Sequence, residues 1–328
     1  QDRYRRQREK GAVLMPYTPL VSIVIPVYKG AQYMRTAIDS ALAQTYKNVE
    51  IIVVNDGSPD DGETERIALS YGDAIRYFHK ENGGCASALN FGISKMRGEW
   101  FSWLSHDDVY EPEKIEKQIR CVCENGLDHE NTVVSCNAKI IDQNGDPIRH
   151  PEAADCGLYE DAAFVKRLLF GSSLNGCGLL LPKAVLCRVG DFSTELKFVL
   201  DWEYWLRAAL SGAALYRMGN ERLVMNRVHT GQVTVREANS YKSELQQLSE
   251  KLFPTVAKTE DTAVISCFYT FAVVKGQKNV GRKYAALLKQ RKAFSAGLLL
   301  RSHAAKAKKS LRPFCAKCYW KFIRWCKK

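Results

Sequence analysis

Val21-Ser-Ile-Val-Ile-Pro26 is a short, almost entirely apolar run rich in β-branched residues, and it predicts a buried β-strand. Residues 31–44 follow with apolar side chains at helical spacing. The same alternation continues to Leu104, so we predict an α/β fold in which a mostly parallel sheet carries helices on both faces. The further elements are strands at Val49–Val54, Ile75–His79 and Trp100–Leu104, and helices at Glu63–Ser70 and Ala86–Met96.

The chain after Leu104 is less regular, but three of its segments have a clear type. Thr132–Ile141 and Leu215–Asn226 are typical of strands, and Asp201–Leu210 is typical of a helix. Beyond residue 236 the pattern becomes helical and basic. We therefore predict an N-terminal extension at 1–18, an α/β domain at 19–235 and a basic α-helical C-terminal region at 236–328.

The charge of the 328-residue chain is distributed unevenly along its length. The net charge is +12, yet the last acidic residue is Asp261, and residues 262–328 contain 17 Lys and Arg. The first 261 residues hold 31 basic and 36 acidic residues, a net charge of −5. With 46% hydrophobic residues the chain is neither disordered nor collagen-like. The basicity thus belongs to the C-terminal region rather than to the α/β domain.

The cysteines and the apolar runs indicate where the protein works. Eleven cysteines are an odd number, and Cys121, Cys136, Cys177 and Cys187 lie in apolar runs, as core cysteines do. This favours a reducing, cytoplasmic setting. The best apolar run, Val264–Val274, is shorter than the roughly 20 residues that cross a bilayer. We expect a protein that is soluble or bound to a membrane surface.

Polar residues directly follow each of the first four predicted strands. The carboxyl ends of parallel strands form one edge of a sheet, where ligands bind in open α/β folds. Any one of these segments alone is more often a turn or a helix cap, but four at one edge favour a ligand cleft. The four segments are Pro26-Val-Tyr28, Asn55-Asp56-Gly-Ser58, His79-Lys-Glu-Asn-Gly-Gly84 and Ser105-His-Asp-Asp108.

Two features of this edge suggest the ligand. The adjacent carboxylates of Asp107 and Asp108 suit a hard cation such as Mg²⁺ or Mn²⁺ bridged to phosphate oxygens. Gly83 and Gly84 precede a predicted helix, so the backbone there can approach a ligand closely. The sequence lacks both the Gly-x-x-x-x-Gly-Lys-Ser/Thr and the Gly-x-Gly-x-x-Gly motif. This argues against a P-loop or a dinucleotide site.

Five motifs together resemble the family 2 inverting glycosyltransferases of GT-A fold, of the bacterial, non-processive type. The resemblance covers roughly Pro19 to Val235 and implies that the α/β domain is a GT-A domain. It rests on Ser22-Ile-Val-Ile-Pro-Val-Tyr28, Val53-Val-Asn-Asp-Gly-Ser58, Glu81-Asn-Gly-Gly84 with Ala88-Leu-Asn90-Phe-Gly92, the Asp107-Asp108 pair, and Asp201-Trp-Glu-Tyr-Trp-Leu-Arg207.

The resemblance implies a site for a nucleotide diphosphate sugar, UDP-linked in our interpretation. Asp56 would hydrogen-bond the nucleotide base. Asp107 would contact the ribose or support the donor. The other residues on the donor side are Pro26, Val27 and Tyr28 around base and ribose, the motif residues Asn82, Gly83 and Asn90, and Arg227 as a support near the diphosphate.

The resemblance also implies the catalytic groups. Asp108 would be the metal ligand of the Asp-x-Asp-type motif, although His106 stands in the triplet and a strict motif is absent. His229 would bind metal or phosphate. Asp201 matches the general base, with Leu200 where an acidic residue often precedes it. An inverting transfer needs such a base on the acceptor hydroxyl, and Mn²⁺ or Mg²⁺ neutralises the leaving diphosphate.

The basic tail bears on where the reaction takes place. Phe314–Lys328 has apolar residues at helical period opposite Lys317, Lys321 and Arg324, the pattern of an interfacial membrane helix. This fits an acceptor that is a glycan or lipid-linked glycan at the inner face of the cell membrane, in surface polysaccharide synthesis. The apolar face would equally serve docking on the domain or formation of an oligomer. No nucleic-acid motif accompanies the charge, so we expect no nucleic-acid partner.

Two other functions are weighed against this one. A sugar-phosphate nucleotidyltransferase shares the α/β style, but it needs a Gly-rich basic loop where Pro26-Val-Tyr28 stands. A catalytically silent GT-A domain that serves as a binding or scaffold subunit is disfavoured because Asp56, Asp108 and Asp201 are all present. The leading prediction is a metal-dependent inverting glycosyltransferase.

Overall fold

The N-terminal half of the protein is the predicted alternation of strands and helices. A computed structural model describes residues 17–149, 155–171, 174–230 and 238–310. The elements of this half, in chain order, are β1 (Val21–Val27), α1 (Met34–Leu42), β2 (Val49–Asp56), α2 (Glu63–Leu69), β3 (Arg76–Lys80), α3 (Cys85–Lys95) and β4 (Trp100–Trp103).

The strand β1 lies at the centre of this half and is buried on both faces of the sheet. It pairs in parallel with β2 on one side and with β4 on the other, and β3 extends the sheet beyond β2. Ile23 and Ile25 face one hydrophobic cluster, whereas Val24 faces the other. This double burial explains why β1 is a continuous apolar run without alternation.

The second half adds strands of both directions. β9 (Leu179–Pro182) is antiparallel to both β4 and β6 (Thr132–Ile141), while β6 runs parallel to β10 (Ala214–Arg227). With β5 (Val109–Tyr110) at one edge, the main path of the sheet is β3-β2-β1-β4-β9-β6-β10-β5, and two further strands pair with β6 and β10 outside this path. The predicted α/β fold is confirmed, with the antiparallel pairings confined to the region beyond β4. The elements are β5 (Val109–Tyr110), α4 (Lys114–Glu124), β6 (Thr132–Ile141), β7 (Pro147–Arg149), β8 (Cys156–Tyr159), α5 (Asp161–Phe170), β9 (Leu179–Pro182), α6 (Lys183–Val189), α7 (Leu200–Leu210) and β10 (Ala214–Arg227).

Four helices of the C-terminal region pack onto the α/β domain. Leu248, Phe268 and Tyr284 belong to the same buried cluster as Val24 of the central strand. Asp261, the last acidic residue, caps α9 by accepting the backbone N–H groups of Ala263 and Val264. None of the described helices is long and apolar enough to cross a membrane. The helices are α8 (Ala238–Val256), α9 (Thr262–Lys275), α10 (Lys278–Gln290) and α11 (Ala296–Ser310).

Two sequence predictions concern residues outside the described parts of the chain. The amphipathic helix predicted for Phe314–Lys328 lies beyond residue 310, and nearly all of the N-terminal extension at 1–18 precedes residue 17. The boundary at residue 236 stays a prediction, since the described C-terminal helices and the sheet share one hydrophobic cluster.

The described cysteines are free thiols. Cys121, Cys136 and Cys177 are buried, as their apolar surroundings predicted. The prediction for Cys187 was wrong, because Cys187 is exposed. The short helix α6 buries Val185 and Leu186 and turns Cys187 away from the core.

Candidate active site

The candidate site lies where the first four parallel strands end. In the β1–β2 pair Val27 aligns with Asn55, and in the β2–β3 pair Asp56 aligns with Lys80. The loops after these strands, and the loop after β4, therefore start from one edge of the sheet. This is the edge at which open α/β sheets bind ligands.

Asp56 organises the loop that precedes α3. Its carboxylate accepts hydrogen bonds from Lys80 Nζ at 2.7 Å and from the backbone N–H groups of Gly83 at 3.0 Å and Gly84 at 2.7 Å. Asn82 Nδ2 donates to the Asp56 carbonyl at 2.8 Å and lies 3.3 Å from its carboxylate. Asp56 is only 2% exposed. These hydrogen bonds fix the shape of the Asn82–Gly84 turn. The resemblance implies that Asn82 and Gly83 of this turn bind the nucleotide sugar.

The loop after β1 carries the residues predicted to line the base and ribose pocket. Pro26 and Val27 are buried, whereas Tyr28 is exposed, so only Tyr28 presents a large side-chain surface to a ligand. Lys29 has a left-handed backbone with φ of 53°, and its N–H donates to Ser58 Oγ at 2.9 Å. This bond joins the loops after β1 and β2 into one wall.

Asp107 and His229 form a pair at the other side of the edge. Asp107 Oδ2 lies 3.1 Å from His229 Nε2, and the two side chains are 12% and 15% exposed. The His229 ring also packs against the Tyr33 ring, with 4.9 Å between centroids. A carboxylate and an imidazole at this distance are both ligand types for a divalent cation.

Asp108 faces the protein interior. Its carboxylate accepts the Arg227 backbone N–H at 2.9 Å and Asn226 Nδ2 at 2.7 Å, and the Cys177 thiol lies 3.2 Å away. Burial and the neighbouring Asp107 raise the pKa of Asp108 to about 7. Sequence reasoning gave the metal to Asp108, but this geometry suits a residue that braces β10 against the loop after β4.

Arg227 is likewise a bracing residue. It is 5% exposed, and its Nε donates to the Asp107 carbonyl at 2.9 Å. Its Nη1 donates to the carbonyls of Asp142 at 3.2 Å and Gln143 at 3.1 Å, and the guanidinium lies 4.7 Å from the centroid of the Tyr33 ring. Arg227 thus supports the backbone of Asp107, and its role near the diphosphate stays a prediction.

Asp201 occupies the first turn of α7. Its Oδ1 accepts the backbone N–H of Trp202 at 2.7 Å. Desolvation raises the pKa of Asp201 to about 6, although the hydrogen bonds from the backbone N–H groups of Trp202 and of Asp201 itself act in the opposite direction. Leu200, which stands where an acidic residue was expected, is 7% exposed. Asp201 is thus a carboxylate with raised basicity and no charged neighbour at the preceding position.

Three of the predicted carboxylates converge on the start of α3. Desolvation, together with the charges of Asp201, Asp56 and Asp107 in that order, raises the pKa of the Cys85 thiol to about 12. The thiol is therefore a poor nucleophile. Carboxylates that are about 50 and 150 positions apart in the sequence thus act electrostatically on the same thiol.

Asn90 is bonded to the segment before α7. Its side chain donates to the Phe192 carbonyl at 2.9 Å and accepts the Phe192 backbone N–H at 2.8 Å. The Phe192 ring stacks on Tyr204 with 3.9 Å between centroids. Asn90 therefore anchors this segment to α3, and its contact with the donor stays a prediction.

Sequence reasoning missed several residues that support the site. Asn226 stands directly before Arg227, which the resemblance did single out, and only the pairing of β10 with the loop after β4 reveals its bond to Asp108. Lys80 was quoted but given no role, although a lysine at the end of β3 beside an aspartate at the end of β2 was a usable signal. Tyr33, whose ring packs against His229 and Arg227, gave no signal in the sequence.

The side chains at the site offer few ligands for a metal ion. Within residues 17–149, 155–171, 174–230 and 238–310, no group of three or more His, Cys, Asp and Glu is arranged to hold an ion. Mg²⁺ and related hard cations are commonly held by one or two carboxylates plus substrate phosphates and waters. The Asp107–His229 pair would fit a cation of this kind only if a bound donor and waters supplied the remaining ligands.

A parallel βα half with carboxylates at its strand ends defines the class: an α/β protein with an acidic ligand cleft at the carboxyl edge of its sheet. Residues 22–177 match the model of glycosyl transferase family 2. An uncharacterized glycosyltransferase of Rickettsia typhi is 50% identical over 226 residues, 66% of this chain and 67% of the relative. The chain belongs to glycosyl transferase family 2.

Further relatives agree with this assignment. An uncharacterized glycosyltransferase of Rickettsia felis is 44% identical over 262 residues, which are 77% of this chain but only 42% of that relative. The S. aureus TarS 1-349 crystal structure in complex with UDP-GlcNAc has a TM-score of 0.61 at 15% identity, covering 88% of each chain. The mannosyltransferase PcManGT from Pyrobaculum calidifontis, in complex with GDP-Man and Mn²⁺, has a TM-score of 0.57 at 16% identity, covering 98% of this chain and 90% of that chain. Both solved structures show the GT-A fold.

Proposed function

We propose that this glycosyltransferase inverts the configuration of the sugar it transfers, with Asp201 as the general base. The observation that carries the proposal is the place of Asp201 in the first turn of α7, where its Oδ1 accepts the Trp202 N–H and burial raises the pKa of its carboxyl to about 6. A base with a pKa of about 6 is ionised at neutral pH and still basic enough to accept a proton.

The chemical step needs little from the protein beyond this base and correct positioning. The acceptor hydroxyl oxygen attacks the anomeric carbon and forms a new C–O bond, while the bond from that carbon to the diphosphate oxygen breaks. The hydroxyl proton passes to Asp201, and the nucleoside diphosphate leaves as an anion. Attack from the face opposite the leaving group inverts the configuration.

The donor is a nucleotide diphosphate sugar. The complexes of structurally similar proteins contain UDP-GlcNAc and GDP-Man, which supports this class of donor, and we assign a UDP-sugar. Tyr28 and the Asn82–Gly83 turn would face the nucleotide. Asp56, which already receives four donors, would act on the base through the turn that it holds or by sharing one oxygen.

Asp107 and His229 would hold Mn²⁺ or Mg²⁺, with Asp108 and Arg227 bracing Asp107 from behind. This assignment moves the metal ligand from Asp108 to Asp107, because the Asp108 carboxylate faces internal donors. When bound, the cation would supply charge neutralisation at the leaving diphosphate.

The rate of transfer is expected to fall about tenfold per pH unit below pH 6, because a protonated Asp201 cannot accept the hydroxyl proton. Because the folded-state pKa of Asp201 is about 6, the transfer rate should level off above pH 7, where this carboxyl is ionised. The measurement is kcat between pH 5 and pH 8 at saturating donor, after a thermal-shift screen of nucleotide sugars with Mn²⁺. The nucleotide Kd at each pH is the control, and a constant kcat down to pH 5 would contradict the assignment.

The acceptor is a glycan or lipid-linked glycan in surface polysaccharide synthesis, and the basic tail would hold the enzyme on the anionic inner face of the membrane. Lys317, Lys321, Arg324 and Lys328 would each contribute about 1 kcal/mol near such a surface. Replacing all four by Gln is therefore expected to reduce co-sedimentation with phosphatidylserine vesicles at least about 10-fold.

The matched control for this experiment removes the same charge from a described helix. Lys278, Arg282, Lys283 and Lys289 are exposed on α10, and their replacement by Gln should leave vesicle binding largely intact. Equal losses in the two sets would mean that net charge alone drives binding, and would remove the tail as a specific anchor.

Family membership disfavours the nucleotidyltransferase alternative. The silent scaffold alternative makes a separate prediction, that purified protein releases no nucleotide from any donor. Donor hydrolysis with UDP-GlcNAc and GDP-Man, each with Mn²⁺, therefore distinguishes a working transferase from a scaffold.

A further inference from the structure

The segment that leads into α7 is held by a glutamate of the C-terminal region. Glu244, on α8, accepts the backbone N–H groups of Lys197 at 2.9 Å, Phe198 at 2.8 Å and Val199 at 3.2 Å. Val199 is the N-cap residue of α7, two positions before Asp201. One carboxylate thus receives three consecutive backbone donors at the point where the helix of the proposed base begins.

This arrangement is energetically favourable for two reasons. The first N–H groups of a helix and of its N-cap have no partner within the helix, and a carboxylate supplies one. Negative charge near a helix N-terminus is also stabilised by the helix dipole, and hydrogen bonds to a charged acceptor are stronger than neutral ones. The Glu244 carboxylate therefore fixes the start of α7 more firmly than a neutral side chain would.

Two further contacts hold the same segment. Lys251, two helical turns after Glu244, donates to Ser193 Oγ at 2.8 Å and to Glu195 Oε2 at 2.5 Å. At the other end, Asn90 of α3 is bonded to the Phe192 backbone in both directions. The segment 192–199 is thus anchored to the helix at the donor side and to the C-terminal region.

We propose that Glu244 is a positioning residue for Asp201. The C-terminal region thereby completes the catalytic site. The inference rests on the proposed role of Asp201 as the base. A displacement of about 1 Å at a reacting group costs roughly 10²-fold in rate. Loosening the first turn of α7 should therefore reduce turnover while leaving the donor-binding edge intact.

The test uses the full chain with Glu244→Gln, Glu244→Asp and a matched control. Glu244→Gln keeps the size but loses the charge and presents an amide N–H₂ to backbone donors. Glu244→Asp keeps the charge on a shorter side chain and is expected to rescue part of the loss. Glu250→Gln makes the same chemical change at an exposed position of the same helix.

The first readout needs no substrate. Amide hydrogen exchange of residues 197–203 is expected to speed up at least 10-fold in Glu244→Gln and to stay unchanged in Glu250→Gln. The backbone amide of Trp202, which donates to Asp201, also reports the midpoint at which Asp201 titrates, and this midpoint should move only in the Glu244 variants. Unchanged exchange and an unchanged midpoint in Glu244→Gln would overturn the inference.

The second readout separates positioning from general stability. With UDP-GlcNAc or GDP-Man and Mn²⁺, kcat of donor turnover is expected to fall about 10-fold to 100-fold in Glu244→Gln at an unchanged nucleotide Kd. Equal kcat in Glu244→Gln and wild type, with Asp201→Asn inactive, would overturn the role of Glu244 alone. Full activity of Asp201→Asn would instead overturn the proposed function.

Discussion

Asp201→Asn is expected to reduce sugar transfer about 10³-fold, within the range by which general bases contribute to catalysis. The amide keeps the shape of the side chain and an oxygen for the Trp202 N–H, but it cannot accept the hydroxyl proton. Binding of UDP should be unchanged, because Asp56 and the Asp107–His229 pair are not altered. Initial rates of transfer and calorimetric UDP binding in the presence of Mn²⁺ check the two expectations together.

The same variant should be more stable than wild type at neutral pH. The folded-state pKa of Asp201, about 6, lies above the ordinary value of an aspartate, 3.8. A carboxyl whose pKa is raised by folding binds a proton more readily in the folded state. Its ionised form therefore opposes folding increasingly as the pH rises from 3.8 to about 6, and fully above that range. Asp201→Asn removes that cost, and its melting temperature at pH 7 should rise while its activity vanishes.

Asp191→Asn is the control for this experiment. It makes the same chemical change at an exposed aspartate of the segment before α7. It should transfer sugar at the wild-type rate with an unchanged melting temperature. Loss of activity in both variants, or retention of activity in Asp201→Asn, would contradict the assignment of the base.

Asp107→Asn and Asp108→Asn are expected to separate metal binding from structural bracing. Asp107→Asn should weaken Mn²⁺-dependent binding of UDP on the order of 100-fold, since it removes a proposed ligand. Asp108→Asn should retain most of this binding, because the Asp108 side chain faces the internal donors of Asn226 and Arg227.

Calorimetry of UDP with and without Mn²⁺ measures both effects. His229→Gln is the companion variant and should follow Asp107→Asn in metal-dependent binding. The opposite result, with Mn²⁺-dependent binding lost in Asp108→Asn and kept in Asp107→Asn, would return the metal to Asp108 as the sequence motif first suggested.

The parallel half of the fold was predictable because its signals are local. β1 through β4 are short apolar runs separated by helical patterns, and each appears in the structure within a few residues of its predicted bounds. β9 is only a four-residue apolar run, and its antiparallel pairing with both β4 and β6 was not predictable. Strand direction depends on partners that are distant in the sequence.

The site was predictable to the level of which segments meet, but not which side chain faces the ligand. Asp107 and Asp108 are adjacent in the sequence, yet one is paired with His229 while the other is enclosed by Asn226, Arg227 and Cys177. Asn90 and Arg227 belong to recognised motifs, but their polar groups hold backbone segments. Motif membership thus identified the neighbourhood, whereas the role of each side chain depends on its orientation.

By itself the sequence determined the α/β class, the family resemblance and the strand ends that form the cleft. It also separated the first 261 residues, with a net charge of −5, from a basic C-terminal region. These properties follow from periodicity and residue type along the chain. Only the tertiary structure decided that Asp107 rather than Asp108 pairs with His229, and that Glu244 holds the start of the helix bearing Asp201. The physical reason is that hydrogen-bond direction and burial arise when segments over 40 residues apart pack together.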